Sequence, residues 1–399
     1  MFESTLKPDR AKIDWLMLAA IGGLMVLGVF FVYSATMANE DVRLQGYYLR
    51  QIMWYGIGFA AAGTLCFIDY HILSRWAVVG YWLTILLLIL VLIPGIGTTQ
   101  GWGARRWIKL PMFQLQPSEF AKISLIFVMA HFLSRPVDEL KIPRNFFKAL
   151  GLTVLPFVLI LKEPDLGSAL VLWPMCFAML YVAGTPKKFI LRLLAAIFIF
   201  GSLLVGDILF APKNFRIPLE GYQRDRLLVF FGQDFTPLDA TEAEKTKARA
   251  DQRDKSYNIE QALISVGSGG VTGKGWRQGT QNVLGFLPRS VAHNDFIFSV
   301  LAEEEGFIGS MIVVVLYSVI LFCGIRIASE ARDRLGKLLA VGVVLMLFSH
   351  VFINIGMNIR IMPVTGVPLP LLSYGGSSVL CSLIAIGILQ NVYIYRRSY

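Results

Sequence analysis

Residues 289–327 read RSVAHNDFIFSVLAEEEGFIGSMIVVVLYSVILFCGIRI. The stretch begins polar, passes one aspartate (Asp295), and meets three consecutive glutamates (Glu303, Glu304 and Glu305) about two helical turns later. From Ile308 to Ile325 it carries no charge. An uncharged run of that length is long enough to cross the hydrocarbon core of a bilayer. A carboxylate at such a boundary needs either a partner or a task, because charge at membrane depth is costly.

The rest of the chain repeats the pattern. Of its 399 residues 55% are hydrophobic and only 16% are charged, more apolar surface than a soluble domain of this length can hide. Apolar segments recur at Ile13–Ser34, Ile52–Phe67, Trp76–Ile93, Glu119–Leu133, Phe147–Leu161, Leu166–Ala183, Phe189–Leu209, Phe307–Ile327, Leu338–Met357 and Ser377–Ile394. The expected fold is an all-α polytopic membrane protein with about ten transmembrane helices, one membrane domain spanning residues 1–399. The first segment follows Lys7, Arg10 and Lys12 and exceeds a signal-peptide core, so it reads as a retained span. The net charge of +10 reads as lysine and arginine at the membrane surface, not as a nucleic-acid footprint. The four cysteines and four histidines are scattered, without disulfide or metal-ligand spacing.

Basic residues orient the chain. Lys187, Lys188 and Arg192 cluster in one short segment, and Arg326, Arg332, Arg334 and Lys337 in another, which places both with the N-terminus in the cytoplasm. Both termini are then cytoplasmic, and residues 211–294 form a large extracytoplasmic loop between the seventh and eighth spans. Within it, residues 233–258 are densely charged and read as a solvated or flexible insertion. Residues 259–295 are rich in glycine and aromatics and are expected to fold against the membrane face.

Several polar residues stand out, each with two readings. In QPSEFAKISLIF, Glu119 and Lys122 share one helix face, either as a structural ion pair or as the polar floor of a substrate cavity. In GWGARRWIKLPMFQLQ, Arg105, Arg106 and Lys109 lie beside Trp102 and Trp107, suiting an anionic head group or simple interfacial anchoring. In EPDLGSALVL, Asp165 reads first as a helix cap. GYQRDRLLVFF places Arg224 and Arg226 beside Tyr222. SVGSGGVTGKGWRQGTQ is a near miss for a nucleotide-binding loop, in which Lys274 and the backbone amides would cradle a pyrophosphate or form an ordinary turn. NIGMNIRIMPVTGVPLPLLSYGGSS breaks helix with proline and glycine; Arg360 and Ser373 would line a wet re-entrant cavity or brace it. Asp295 is either a helix N-cap or a general base.

Taken in order, GARRWI, QPSEFAKI, EPDLGSAL, SVGSGGVTGKGWRQGTQ, NDFIFSVLAEEEG and GVPLPLLSYGGSS resemble the SEDS family (shape, elongation, division, sporulation) over nearly the whole chain. Its members are bacterial membrane glycosyltransferases that polymerise lipid II into peptidoglycan. The wording of GKGWRQGTQ and MPVTGVPLPLLSYGGSS resembles the elongation branch more than the division branch. The resemblance implies that Asp295 is catalytic and that Arg106, Glu119 and Lys122 belong to a central cavity. It implies a class B penicillin-binding protein and other elongation-complex membrane proteins as partners, and a location in the bacterial cytoplasmic membrane. One departure is LPRSVAHNDF, two residues longer before Asp295 than the family's LPEAHTDF, with Arg289 for the glutamate and Asn294 for the threonine.

The expected chemistry needs one base. A polyprenyl pyrophosphate leaves readily, whereas the acceptor hydroxyl must lose a proton as it attacks. Asp295 would take that proton, and Arg106, Lys122 or Lys274 would offset the developing charge. The motifs demand no cofactor, although a divalent cation such as magnesium would assist. Two other readings of the bundle are a lipid II flippase or transporter and a non-catalytic scaffold for a transpeptidase.

Overall fold

The computed structural model describes residues 13–37, 45–98, 105–109, 114–210, 221–232, 256–288 and 291–396. Most of the expected insertion at 233–258, together with Trp102 and Arg289, lies outside them.

The described chain is mainly helical. Helices α1 (Trp15–Met37), α2 (Tyr47–Cys66), α3 (Tyr70–Arg75) and α4 (Ala77–Leu92) lead to a small antiparallel sheet. Its strands β1 (Gly97–Thr98), β2 (Trp107–Lys109) and β3 (Gln114–Leu115) pair in sequence order, with Ile108 opposite both Gly97 and Leu115. Then follow α5 (Pro117–Leu133), α6 (Val137–Leu140), α7 (Pro143–Lys162), α8 (Leu166–Val182), α9 (Lys187–Phe210) and α10 (Gly221–Phe231). A helix at 256–268 is α11; α12 (Thr280–Val283), α13 (Ile297–Glu330), α14 (Arg334–Asn358) and α15 (Gly376–Tyr395) complete the chain. Each of the ten segments singled out by hydropathy falls on one of these helices. The sheet was not foreseen: its strands are two or three residues long, too short to show alternation.

Six of the described helices are long and apolar enough to cross a membrane: α1, α7, α9, α13, α14 and α15. α4 and α8 are apolar but shorter. α2 and α5 carry polar groups in their early turns, Arg50 with Gln51 and Glu119 with Lys122. The chain is an integral, polytopic membrane protein.

Burial sorts the helices into centre and rim. In its apolar window α15 is 78% buried and α14 67%, against 6% for α9, whose Leu191, Phe198, Phe200 and Leu203 all point outward. Without a hydrophobic drive inside lipid, helices associate through close backbone approach and interhelical hydrogen bonds. α15 crosses α2 with Gly387 against Ala62, where a Cβ would meet the Ala62 Cα at 2.8 Å. Asn391 Nδ2 closes the end of α2 by donating to the Leu65 and Ile68 carbonyls at 2.5 and 2.6 Å. The last carbonyls of a helix lack an i+4 donor, so such side-chain donors are needed there.

α13 is two helices joined at Gly306, whose φ of 65° and ψ of −157° are not helical. The break falls directly after the three glutamates, so the membrane segment starts at Phe307, where hydropathy places it. The glycine-rich loop threads into this break. Lys274 N donates to the Glu303 carbonyl at 3.1 Å and Gly275 N to the Glu304 carbonyl at 2.8 Å. In return Phe307 N and Ile308 N donate to the Gly270 and Val271 carbonyls at 2.9 and 3.1 Å. A Cβ at Gly306 would sit 2.3 Å from Gly273 N, so only glycine permits the contact.

Gly306→Ala is therefore expected to cost about 1–3 kcal/mol of stability through strain at this backbone conformation. It should lower the thermal midpoint of the detergent-solubilised protein. Gly151→Ala on α7 is the control: a Cβ there has nothing within 4 Å, and the midpoint should stay unchanged.

Candidate active site

Asp295 sits in a turn at residues 291–296, just before α13. The first residue flanking that helix is Phe296, and no side chain caps it. The N-cap reading of Asp295 is thereby set aside: its carboxylate accepts no hydrogen bond from any described residue and is half-buried. Burial pushes its pKa up to about 6, with the Arg106 and then the Arg226 charge pulling it down and Asp165 pushing it up.

Three elements converge on this carboxylate. β2 follows Arg106 and holds it at the site. The guanidinium donates to two carbonyls of the turn between α7 and α8, through Nε to Glu163 O at 3.4 Å and through Nη2 to Pro164 O. α10 brings Arg226. The broken segment after α14 brings Gly366, with φ of 75°; a Cβ there would lie 3.5 Å from Asp295 Oδ2 and 3.8 Å from Arg106 Nη1. Carboxylate and guanidinium thus face one small space, which a side chain at 366 would fill.

Asp165 is a cap, as its position suggests. Its Oδ1 accepts from Ser168 N at 3.1 Å, and its Oδ2 from Gln116 Nε2 at 3.2 Å and Ser118 Oγ at 3.1 Å. Neighbouring Glu163 is sealed, with no hydrogen-bond partner for either carboxyl oxygen among the described residues. Burial, then Asp165, drives its pKa up to about 9 against the pull of Arg106. At neutral pH it is uncharged, so it does not cancel the Arg106 charge.

Four of the residues expected to bind substrate are placed differently. Lys274 lies on the far side of the glycine loop, about 12 Å of helix beyond Asp295. Its Nζ donates to Glu303 Oε1 at 2.6 Å, Thr280 Oγ1 at 2.7 Å and Ser268 Oγ at 2.9 Å. The loop amides of Lys274 and Gly275 are spent on α13 carbonyls, so the loop is a clasp and not a pyrophosphate cradle. Ser373 is 1% exposed; it donates to the Asn294 carbonyl at 2.6 Å and accepts from Leu369 N at 2.8 Å, bracing the turn that bears Asp295.

Glu119 and Lys122 are 2% and 1% exposed, with Lys122 Nζ 2.6 Å from Glu119 Oε1 and 2.8 Å from His350 Nε2 on α14. They form a buried triad whose charged groups are engaged with one another. Arg360, just past α14, is exposed and points toward Gly232 at the end of α10.

Two members of these clusters escaped sequence reasoning. His350 is a lone histidine in an apolar helix, and its partner Lys122 is 228 residues away. Arg226 stands in the sequence beside Tyr222 with no motif that ties it to Asp295, whose carboxylate its charge reaches in the fold. Among the described residues, no group of three or more His, Cys, Asp or Glu side chains is placed to hold a metal ion.

Comparison with known proteins matches this geometry to a family. The model of the FtsW/RodA/SpoVE family, described as cell cycle protein, matches residues 14–398. Stage V sporulation protein E of Bacillus subtilis (strain 168) is 36% identical over 94% of this chain and 95% of its own length. Peptidoglycan glycosyltransferase MrdB of Escherichia coli (strain K12) is 33% identical over 98% and 95%. A chain in the solved structure "Structural coordination of polymerization and crosslinking by a peptidoglycan synthase complex" superposes with a TM-score of 0.75 at 28% identity, covering 97% of this chain and 99% of that one.

Removing one partner of a sealed ion pair strands the other charge. Lys122→Met is expected to destabilise the protein by about 3–5 kcal/mol. Pairing it with Glu119→Gln should recover most of that loss. Thermal unfolding in detergent measures both; a Lys122→Met protein as stable as the parent would return Lys122 to the list of substrate ligands.

Proposed function

The chain belongs to the FtsW/RodA/SpoVE family, and from that membership we propose a peptidoglycan glycosyltransferase that polymerises lipid II with Asp295 as its general base. The observation that carries the assignment is the uncapped, half-buried Asp295 carboxylate facing Arg106 across the gap beside Gly366.

The reaction joins two lipid-linked sugars. Asp295 accepts the proton of the acceptor's GlcNAc 4-hydroxyl as that oxygen attacks the donor's anomeric carbon. The bond from that carbon to the pyrophosphate breaks, and its electron pair departs with the leaving group. Attack opposite the leaving group inverts the centre and yields a β-1,4 linkage. Arg106 and Arg226 stabilise the departing charge. Arg106 suits this role because carbonyl oxygens hold it and the neighbouring Glu163 is neutral, leaving its full charge for an anion. An apolar groove of about 400 Å³ between α1 and α13, lined by Leu27, Phe31, Trp276, Leu301 and Ile312, is suited to a lipid chain.

In this reading ten helices cross the bacterial cytoplasmic membrane, both termini are cytoplasmic, and residues 211–294 lie outside with Asp295. A solved relative comes from a complex that joins polymerisation to crosslinking, which supports a class B penicillin-binding protein as partner. Assignment to the elongation branch, with its other membrane proteins, rests on the wording of GKGWRQGTQ and MPVTGVPLPLLSYGGSS; the named relatives come from more than one branch.

Purified protein in liposomes with lipid II tests the assignment. Asp295→Asn should abolish polymer while the protein stays folded; glycan chains made by that variant would end the general-base reading. The base must be ionised, so the rate should fall as pH drops through about 6. The same raised pKa means that Asp295 favours the folded state only in its protonated form. That contribution is full below its ordinary carboxylate value and fades as pH rises through about 6. At neutral pH, Asp295→Asn should therefore match or exceed the parent in thermal stability.

A further inference from the structure

We infer that Asn354 and Asn358, one turn apart on α14, are positioning residues that fix the Asp295 carboxylate by gripping its backbone. The inference rests on the reading of Asp295 as the base and adds what holds it there.

Both asparagines are fully buried. Asn354 Nδ2 donates to the Asp295 carbonyl at 3.1 Å, and Asn358 Nδ2 donates to the same oxygen at 3.2 Å. Asn354 Nδ2 also donates to the Val367 carbonyl at 2.7 Å, and Asn358 Nδ2 to the Asn354 carbonyl at 2.8 Å. Ser299 Oγ donates to Asn358 Oδ1 at 2.5 Å, which turns the amide so that its NH₂ faces Asp295.

Each bond answers a need. The turn at 291–296 is not helical, and the amides of Ser299 and Val300 go to Phe296 O, leaving the Asp295 carbonyl without a helical donor. In a largely buried setting, a backbone carbonyl without a helical donor needs another partner. One donor would satisfy it. Two donors from a rigid helix also fix the peptide plane, and with it the direction of the Cα–Cβ bond that carries the carboxylate.

Asn354 does more. The residue after Gly366 is Val367, so one amide ties the turn bearing the base to the strand of chain that walls the gap beside Arg106. Asn354 is thus a direct tie between the two walls of the gap. Burying two amides in an apolar helix is costly unless they are fully used, and here they are used on the base.

The test is full-length protein in liposomes, assayed for lipid II polymerisation as Asn354→Ala, Asn358→Ala and Ser299→Ala. A misplacement near 1 Å costs about 100-fold in rate. The two asparagine variants should lose kcat on that scale, with KM within about threefold. Ser299→Ala, which only frees the Asn358 amide to turn, should lose about fivefold.

The acid limb of the pH–rate profile should also move below its parent position, because a released turn admits water to the carboxylate. A merely structural role would reduce the folded fraction and leave that limb in place. Loss of rate with an unmoved limb overturns the inference, as does kcat per folded molecule within twofold of the parent. If the asparagine variants do not fold, Ser299→Ala decides by the same limb. Asp295→Asn run in parallel separates the two ideas. Polymer from it sinks the base itself, whereas no polymer from it together with parental limbs in the other variants sinks only the grip.

Discussion

A backbone that leaves its helical ladder inside an apolar bundle must find other partners for its N–H and C=O groups, because lipid offers none. This chain leaves the ladder twice near Asp295, at Gly306 and through residues 359–375. Several polar side chains in the central helices answer that need. Tyr55 and Tyr317 donate to the Leu371 and Pro370 carbonyls, Gln51 to the Ser373 carbonyl, and Ser373 to the Asn294 carbonyl. The glycine loop answers it at Gly306. The broken segment is therefore held at many points, and the turn bearing Asp295 inherits that rigidity.

Charge follows a second logic. Where the bundle is sealed, charge is balanced: Glu119, Lys122 and His350 exhaust one another, and Lys274 is matched by Glu303. Among the described residues the Asp295 carboxylate has no ion pair, and Arg106 is held by neutral carbonyls. Glu163 keeps its proton, which leaves the Arg106 charge uncancelled by it next to a carboxylate whose pKa burial has raised. An arrangement of that kind is expensive as structure and useful for a reaction that moves a proton one way and sheds an anion the other.

Much of this was legible in advance because it depends on local composition. Ten apolar runs mark ten helices, and one carboxylate stands just before the eighth. Asp165 reads correctly as a cap because capping needs only the residues that follow it. Lys274, Ser373, Glu119 and Lys122 stand out in the sequence because they are polar, and polarity alone does not tell a ligand from a brace; in the fold each has partners within the protein. The glycine loop resembled a phosphate cradle because glycine spacing records that a backbone comes close to something, not what it comes close to. Here the neighbour is the broken start of α13.

By itself, the sequence determined that the protein is a helical membrane bundle, where its apolar spans lie, and which carboxylate stands at the boundary. Those are properties of contiguous residues and of the cost of placing them in oil or water. Only the tertiary structure decided which polar groups meet. It joined Lys122 to His350 across 228 residues, placed Arg226 near Asp295, and set two α14 amides on one carbonyl oxygen. Hydrogen bonds and ion pairs act over a few ångströms, and no local pattern records which distant helix will supply the other half.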